Sequence, residues 1–422
     1  MNIPLKLAYN TAVQLIGKAV TSLSTLIIIY LLVIPKFSAG DFGIYNTILS
    51  YIALFYVFTD LGLNAIFVRE VAANQEKQRE YFKKLLGIRL AITIIVAFAA
   101  TATLAFTNYP SVAKLGIITG LGILITQTFT TTALAVFQAR IRYDQAVIAD
   151  TIGAIANLIL VFLAVRGFHS IIFIIAALGL GGAIRVLVAF YLVRFQIGEI
   201  SISFDWGFAR KIILAALPIG LIAIFSQFNA QIDKQVVILA NYKPALHLSG
   251  VAAAGFYGFA YKIFEVAIVL PTFIMNVGYP IMVQKKEAGF DSLLRFSKKL
   301  AAFLFILGLF GLILGWLAAP LVFGISLFHK FSPSLASLRI LLLGFPLFFI
   351  TPVTLWLAIT LGKTREMMFI YGFTAAFNLV ANLVFVPTFG YNAAAVVTIA
   401  SELLILALSL GVLTVAIRKR ET

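Results

Sequence analysis

One lysine, Lys18, stands inside an almost unbroken apolar stretch running from Asn10 to Val33. As a helix, that stretch rises about 1.5 Å per residue and can cross a hydrocarbon core roughly 30 Å thick. An ammonium held there costs about 2.5–3.5 kcal/mol on insertion scales, so a hydrated cavity or a partner must compensate it. Asn10, Gln14, Lys18 and Ser22 recur every four residues and share one helical face. Amides beside a hydrated cation suit the weak, exchangeable binding of an anion. A later apolar stretch carries Gln227, Gln231 and Lys234 at i, i+4 and i+7, again on one face, with Asp233 alongside. Lys262 and Glu265 lie three residues apart, close enough to pair, or to set Lys262 at a cavity with Glu265 tuning it. Arg185 and Glu402 sit deep in other apolar stretches, and Asp60 sits near the end of another, with Arg69 and Glu70 just beyond. The expected substrate-binding set is therefore Gln14, Lys18, Gln231, Lys234 and Lys262. The expected gating or ion-coupling set is Asp60, Arg185, Asp233, Glu265 and Glu402. Arg89 and Asp150, near helix ends, read as snorkelling or capping residues, and Arg339 as a residue near an outer end.

The elements that carry these residues are set by composition. The chain has 422 residues, 62% of them hydrophobic and 11% charged, with a mean hydropathy of +1.05. A soluble protein carries about 25% charged residues, so this composition reads as a polytopic membrane protein. There is no cysteine, which excludes disulfides and thiolate metal or redox sites. His169, His247 and His329 fall in separate short breaks, so no histidine metal site is expected. No cofactor is expected either. The first apolar segment is too long for a cleavable signal and has no small-residue cleavage site, so it reads as an uncleaved first span.

Apolar segments separated by charged or Pro/Gly-containing breaks predict twelve transmembrane helices. They run over 10–33, 42–66, 84–106, 114–137, 147–165, 171–193, 211–239, 255–282, 299–323, 336–360, 367–386 and 392–416. Counted over alternate breaks, 21 lysines and arginines fall on one side and five on the other, which puts both termini in the cytoplasm. That asymmetry accounts for most of the net charge of +16, and nucleic-acid binding is not needed to explain it. The polar break over 194–211 divides the chain into an N-terminal lobe, 1–200, and a C-terminal lobe, 201–422, each of six helices. Phe42-Gly43-Ile44-Tyr45 is echoed by Gly255-Phe256-Tyr257, and Ala156-Asn157-Leu158 by Ala381-Asn382-Leu383. Paired halves with a site near mid-membrane are a transporter plan.

Residues 281–299 mix basic and apolar types and read as an amphipathic stretch on the inner interface, or as ordinary loop charge. Pro218, Pro271, Pro280, Pro346 and Pro352 fall inside spans and can kink them. Gly116/Gly120 and Gly311/Gly315 fit close helix packing, as do Gly179, Gly181 and Gly182. Gly362-Lys363-Thr364 has the tail of a phosphate-binding loop, but Leu357 stands where that motif needs glycine. No nucleophile–base pair or carboxylate dyad stands out, and no break can hold a soluble domain. An enzyme is not expected, and a membrane-embedded glycosyl transferase or polymerase would need a larger loop or a carboxylate–metal cluster.

The residues Asn10…Gln14…Gly17-Lys18, Phe42-Gly43-Ile44-Tyr45 and Asp60-Leu61-Gly62-Leu63 with Arg69-Glu70 resemble the polysaccharide transport family. So do Ala260-Tyr261-Lys262-Ile263 with Pro271 and Pro280, and Asn378…Asn382…Pro387…Gly390 with Ala393-Ala394-Ala395 and Thr398. That family belongs to the multidrug/oligosaccharidyl-lipid/polysaccharide (MOP) flippase superfamily. The resemblance implies an all-α, two-lobed carrier of twelve helices in the plasma or inner membrane. Its cargo would be a polyprenyl-pyrophosphate-linked oligosaccharide, moved from the cytoplasmic to the outer leaflet. A cationic central cavity would receive the head group, and the tail would stay in the bilayer through a gap between the first and eighth helices, which carry Lys18 and Lys262. Membrane lipids, H⁺ or Na⁺ and membrane proteins of glycan assembly are the expected partners. The alternative is an antiporter of small organic molecules like the multidrug (MATE) exporters, coupled to an ion.

Overall fold

The computed structural model describes residues 17–73, 75–140 and 142–421. Asn10 and Gln14 lie outside these. Among the described residues there is no strand. The helices are α1 (Gly17–Lys36), α2 (Ala39–Asp60), α3 (Leu63–Ala73), α4 (Gln78–Thr103), α5 (Ser111–Ala139), α6 (Tyr143–Gly167) and α7 (Ile171–Ile197). They continue as α8 (Trp206–Leu239), α9 (Gly250–Glu287), α10 (Phe290–Gly324), α11 (Ser334–Leu343), α12 (Phe345–Thr360), α13 (Thr364–Phe389) and α14 (Asn392–Glu421). Eleven described helices, the α2–α3 pair counted as one, are long and apolar enough to span a membrane. The pair α11–α12, bent by 45° at Gly344, brings the number to twelve. The lipid-ready surface is plain: Phe98, Leu187 and Leu321 are among many large apolar side chains left more than two-thirds exposed.

Two expected spans are broken for identifiable reasons. Within α1 the segment Ile27–Val33 is a π-helix, with the Ile34 N–H donating to the Ile29 carbonyl five residues back. Pro35 follows at once, and its missing N–H and bulky ring disturb the preceding turn. The second span breaks between α2 and α3, where Leu61 (φ 47°) and Gly62 (φ 77°) are left-handed. A left-handed leucine costs about 1–2 kcal/mol, so its surroundings must hold it. Those surroundings are described below.

The chain divides into two compact units. Among the described residues, the first comprises those up to Ser38 together with those from Ile48 to Ile224, and the second Ala39–Thr47 together with those from Phe225 onward. In the first, α7 packs along α5 and α6, and α5 along α3 and α4. Gly116 and Gly120 of α5 lie against Ile48 and Ile52 of α2. Gly181 lies against Asn157, and Gly182 against Thr126, so this glycine run serves helix contact as its spacing suggests. The start of α8 belongs here, because Gly220 meets the Leu61 backbone and Gly62 meets Ala216. Asp205 begins α8 by accepting the Phe208 N–H at 3.0 Å.

In the second unit α12 packs against both α10 and α14, α13 lies on α14, and α9 packs on α10, α11 and α12. The two stretches that echo each other in sequence touch here. A side chain at Gly43 would sit 2.5 Å from the Gly255 nitrogen and the Val251 carbonyl, so only glycine lets these backbones meet. Phe42 fills the adjoining space edge-on to Phe259 and Phe331. Gly311 and Gly315 of α10 admit Phe345 and Leu342. The expected amphipathic stretch over 281–299 is not a separate element. Residues 281–287 end α9, Gly289 turns the chain with φ 124°, and Phe290 onward opens α10. A left-handed glycine makes this a tight hairpin between two long helices.

Candidate functional site

The sequence-predicted residues separate into two polar clusters, one in each unit. In the second unit Asp233 is fully buried on α8. Its Oδ1 accepts the Lys234 N–H at 2.8 Å, and its Oδ2 accepts the Tyr257 hydroxyl and lies 3.2 Å from Thr398 Oγ1. Three donors satisfy the carboxylate, as a buried charge requires. Lys234, 5% exposed, donates to Gln231 Oε1 at 2.8 Å, and its ammonium lies 3.8 Å from the centre of the Tyr261 ring. Gln231 and Lys234, on one helical face by their spacing, are joined directly. Lys262 and Glu265 of α9 pair at 2.8 Å, both about a quarter to a third exposed. Of the two arrangements left open for this pair, the ion pair is the one observed.

Beside this cluster lies a cavity of about 360 Å³ within the second unit. Asn229, Tyr261, Tyr371, Thr398, Ser401 and Glu402 are among its lining. Tyr261 and Thr398 therefore form a common wall between the cavity and the Asp233–Lys234 cluster. Glu402 forms no ion pair with a described residue, in contrast to Glu265. A half-buried carboxylate among hydroxyls and amides can take a proton or a cation. Behind it, Asn378 donates to Ser401 Oγ at 3.0 Å and Asn382 donates to Asn378. These amides belong to the stretch that carries the family resemblance; here Asn378 pins α13 to α14 and Asn382 holds Asn378 in place.

In the first unit Arg89 is the centre. Read from sequence as snorkelling or capping, it is instead completely buried. Its guanidinium donates to the Thr59 carbonyl at 2.6 Å, to Asn64 Oδ1 at 2.7 Å and to Asp60. Asp60 also accepts the Gly62 N–H at 3.2 Å. One arginine thus collects the acceptors exposed where α2 breaks, which is what holds Leu61 left-handed. Asp150, likewise read as a terminal residue, pairs instead with Arg185 across α6 and α7, its Oδ1 2.8 Å from Nε. Arg185, Asn157, Gln127, Thr126 and Thr130 line a second cavity of about 160 Å³. Long-range pairs such as Arg89–Asp60 and Arg185–Asp150 are invisible to spacing rules, because their partners stand on different helices.

Lys18 is exposed, and no described residue pairs with its ammonium. Counted back from Lys36 it lies 18 residues, about 27 Å, along the helix. Gln14 falls outside the described residues. No group of three metal-ligating side chains occurs among the described residues.

The chain matches the family described as polysaccharide biosynthesis protein over residues 7–286. No curated protein matches it. Among solved structures it is similar to an inward-facing multidrug resistance MATE transporter of the MOP superfamily, with a TM-score of 0.73 at 15% identity. That alignment covers 96% of this chain and 95% of the other. The lipid II flippase MurJ in an inward closed conformation is also similar, with a TM-score of 0.73 at 14% identity, over 95% of this chain and 87% of the other. A MOP superfamily transporter from Pyrococcus furiosus gives 0.62 at 17% identity, over 99% and 96%. At these identities the structures speak for the fold, and the family match speaks for descent: this chain is a multi-pass membrane protein of the polysaccharide biosynthesis protein family, built on the MOP fold.

Proposed function

We propose that this protein is a flippase that carries a polyprenyl-pyrophosphate-linked oligosaccharide from the cytoplasmic to the outer leaflet by alternating access. The observation that carries the reading is membership of a polysaccharide biosynthesis family on a fold otherwise used by transporters. In this reading the lysine- and arginine-rich ends and both termini face the cytoplasm across the plasma or inner membrane, which the charge asymmetry of the breaks supports. Lys18, the least partnered of the expected cations, and Lys262, whose counter-ion Glu265 a pyrophosphate can displace, receive the anionic head group. Arg185 with Asp150 offers a similar exchangeable pair in the first unit. Lys234 and Gln231, already satisfied by each other and by Tyr261, support the site rather than bind cargo.

No break is long enough to hold a nucleotide-binding domain, so the cycle draws on a substrate or ion gradient. Glu402 is the proton or sodium acceptor in this reading, with Asp233 set behind Thr398 to sense its charge. Asp60 and Arg89 brace the break in the second span.

The test is surface-glycan display in cells whose own flippase is deleted, complemented with Lys18→Ala, Lys262→Ala and the double variant. Stable insertion with lost display is expected. Normal display by the inserted double variant sinks the cationic-site reading. A second reading, an ion-coupled antiporter of small organic cations, has one observation in its favour. The Glu402 cavity is acidic, and at about 360 Å³ it suits a small molecule. Proton-dependent efflux of an organic cation, abolished by Glu402→Gln with glycan display intact, would decide for it.

A further inference from the structure

A cleft of about 540 Å³ lies in the second unit, apart from the polar clusters and the Glu402 cavity. One wall is the apolar face of α14 formed by Gly411, Val412, Val415 and Ala416, and the other is the turn before α13, with Leu361 and Lys363. Gly411 leaves this wall open, since a side chain built there meets nothing within 4 Å. Gly411 is 19 residues from the start of α14 at Asn392, about 28 Å along the helix. The hydrocarbon core is about 30 Å thick, so the cleft stands at its boundary with the head groups, at the lysine- and arginine-rich end.

The mouth is basic. Lys363 lines it and pairs with Glu366 at 2.8 Å, both more than a third exposed. Lys286 of α9 donates to the Thr360 carbonyl at 2.6 Å, fixing the turn that carries Lys363. Arg365 is exposed on the first turn of α13, and Arg418 is exposed one turn beyond Val415 on the same face of α14. Lys363 lines an apolar slot at head-group depth, and Arg365 and Arg418 stand on the two helices that form it. An exposed Lys363–Glu366 pair of this kind is weak, so an incoming phosphate can take Lys363 from Glu366. The Gly362-Lys363-Thr364 sequence, which no nucleotide fold surrounds, finds its use here.

We propose that this cleft is a resident site for an anionic glycerophospholipid of the cytoplasmic leaflet, independent of the transported cargo. One acyl chain lies along Gly411, Val412, Val415 and Ala416, and the phosphate meets Lys363, with Arg365 and Arg418 over the head group. The assignment of the leaflet rests on the orientation proposed above, whereas the choice of an anionic lipid rests on the cleft alone. A lipid held here ties α13 to α14, the helices that carry Asn378 and Glu402, at the membrane surface.

The test is native mass spectrometry of the full chain released from detergent, titrated with phosphatidylglycerol or phosphatidylcholine of identical acyl chains. Wild type, Lys363→Gln, Arg418→Gln, the double variant and Gly411→Trp are compared, with thermal unfolding confirming the fold of each. Phosphatidylglycerol should be retained in preference to phosphatidylcholine. Each glutamine should weaken retention about fivefold, the factor equivalent to about 1 kcal/mol per basic residue at an anionic surface. Gly411→Trp should remove the retained lipid by filling the slot. Equal retention of the two lipids, or wild-type retention by the folded double variant, overturns the proposal. So does displacement of phosphatidylglycerol by undecaprenyl pyrophosphate in wild type, which would put the cleft on the cargo path. None of these variants alters Lys18 or Lys262, so the outcome is separable from that of the glycan-display experiment.

Discussion

Removal of the Arg89 side chain should be among the most damaging single substitutions in the first unit. Arg89→Met keeps the length of the side chain and deletes the donors to the Thr59 carbonyl, Asn64 Oδ1 and Asp60. Hydrogen bonds to a charged partner contribute about 1.5–3 kcal/mol each, but the three share one guanidinium and do not add in full. Asp60, 31% exposed, recovers hydration when its partner leaves, which discounts its share further. Thr59 is fully buried, so its carbonyl has no such recourse, and with the share left to Asn64 the expected loss is about 3–4 kcal/mol, near the figure for breaking a buried pair. Removing the bracket also releases Leu61 from its left-handed conformation, so α2 and α3 should lose their fixed break. The assay is SDS-induced unfolding of the purified protein in mixed micelles, followed by circular dichroism, for Arg89→Met, Asp60→Asn and the double variant. A coupling energy of about 1–2 kcal/mol between the two positions is expected for a contacting charged pair. Arg89→Lys should rescue little, because one ammonium cannot span three acceptors in a fork. A loss below about 1 kcal/mol for Arg89→Met, or additive behaviour in the double variant, would refute the bracket.

Other substitutions test different links. Gly43→Val places side-chain atoms against the backbone of Val251 and Gly255, neither of which can yield, so the second unit should fail to accumulate or lose at least about 3 kcal/mol of stability; folded protein recovered in membranes at wild-type level would contradict it. Glu402→Gln should abolish the dependence of transport on external pH or sodium while leaving the fold intact, read as counterflow in proteoliposomes across a pH series. A variant that keeps the wild-type profile removes Glu402 from the coupling. Asp205 is held below the usual carboxylate range first by the Phe208 N–H and then by Lys84, at 3.1 Å. Its stabilising effect is therefore present above the ordinary aspartate pKa of about 3.9 and is lost as pH falls through the depressed folded value. Unfolding temperatures of wild type and Asp205→Asn should differ at pH 6 and converge toward pH 3, and a constant gap would exclude titration of this cap.

Hydropathy alone located the spans, because every residue facing lipid must be apolar whatever its neighbours are. Ends and interruptions were harder. The π-segment of α1 and the left-handed Leu61 are responses to Pro35 and to Arg89, and a window of mean hydropathy averages over both. Spacing on one helix found the Gln231–Lys234 and Lys262–Glu265 pairs, since i and i+3 partners are adjacent by geometry. It could not find that Asp233 is shared by Tyr257 and Thr398, residues 24 and 165 positions away. Arg89 and Asp150 were misread for the same reason, because a charge near a helix end looks solvated until its partner on another helix is known. The resemblance of Gly43 to Gly255 reads in sequence as an echo of two halves. In the structure it is one contact, made by two glycines that must each be bare for the other's backbone to approach.

The division of the chain into units has a consequence for anyone who would cut it. Residues 39–47 are completed by the second unit, and residues 206–224 complete the first. A split at the polar break near residue 200 therefore leaves each fragment short of one helix segment that its own interior requires, with Phe42 and Gly43 on one fragment and Phe259 and Gly255 on the other. The halves cannot be exchanged between relatives as cassettes at that break without carrying mismatched glycines and phenylalanines across it. Chimeras that respect the structure would join within α8, between Ile224 and Phe225, and would transplant the first nine residues of α2 together with the second unit.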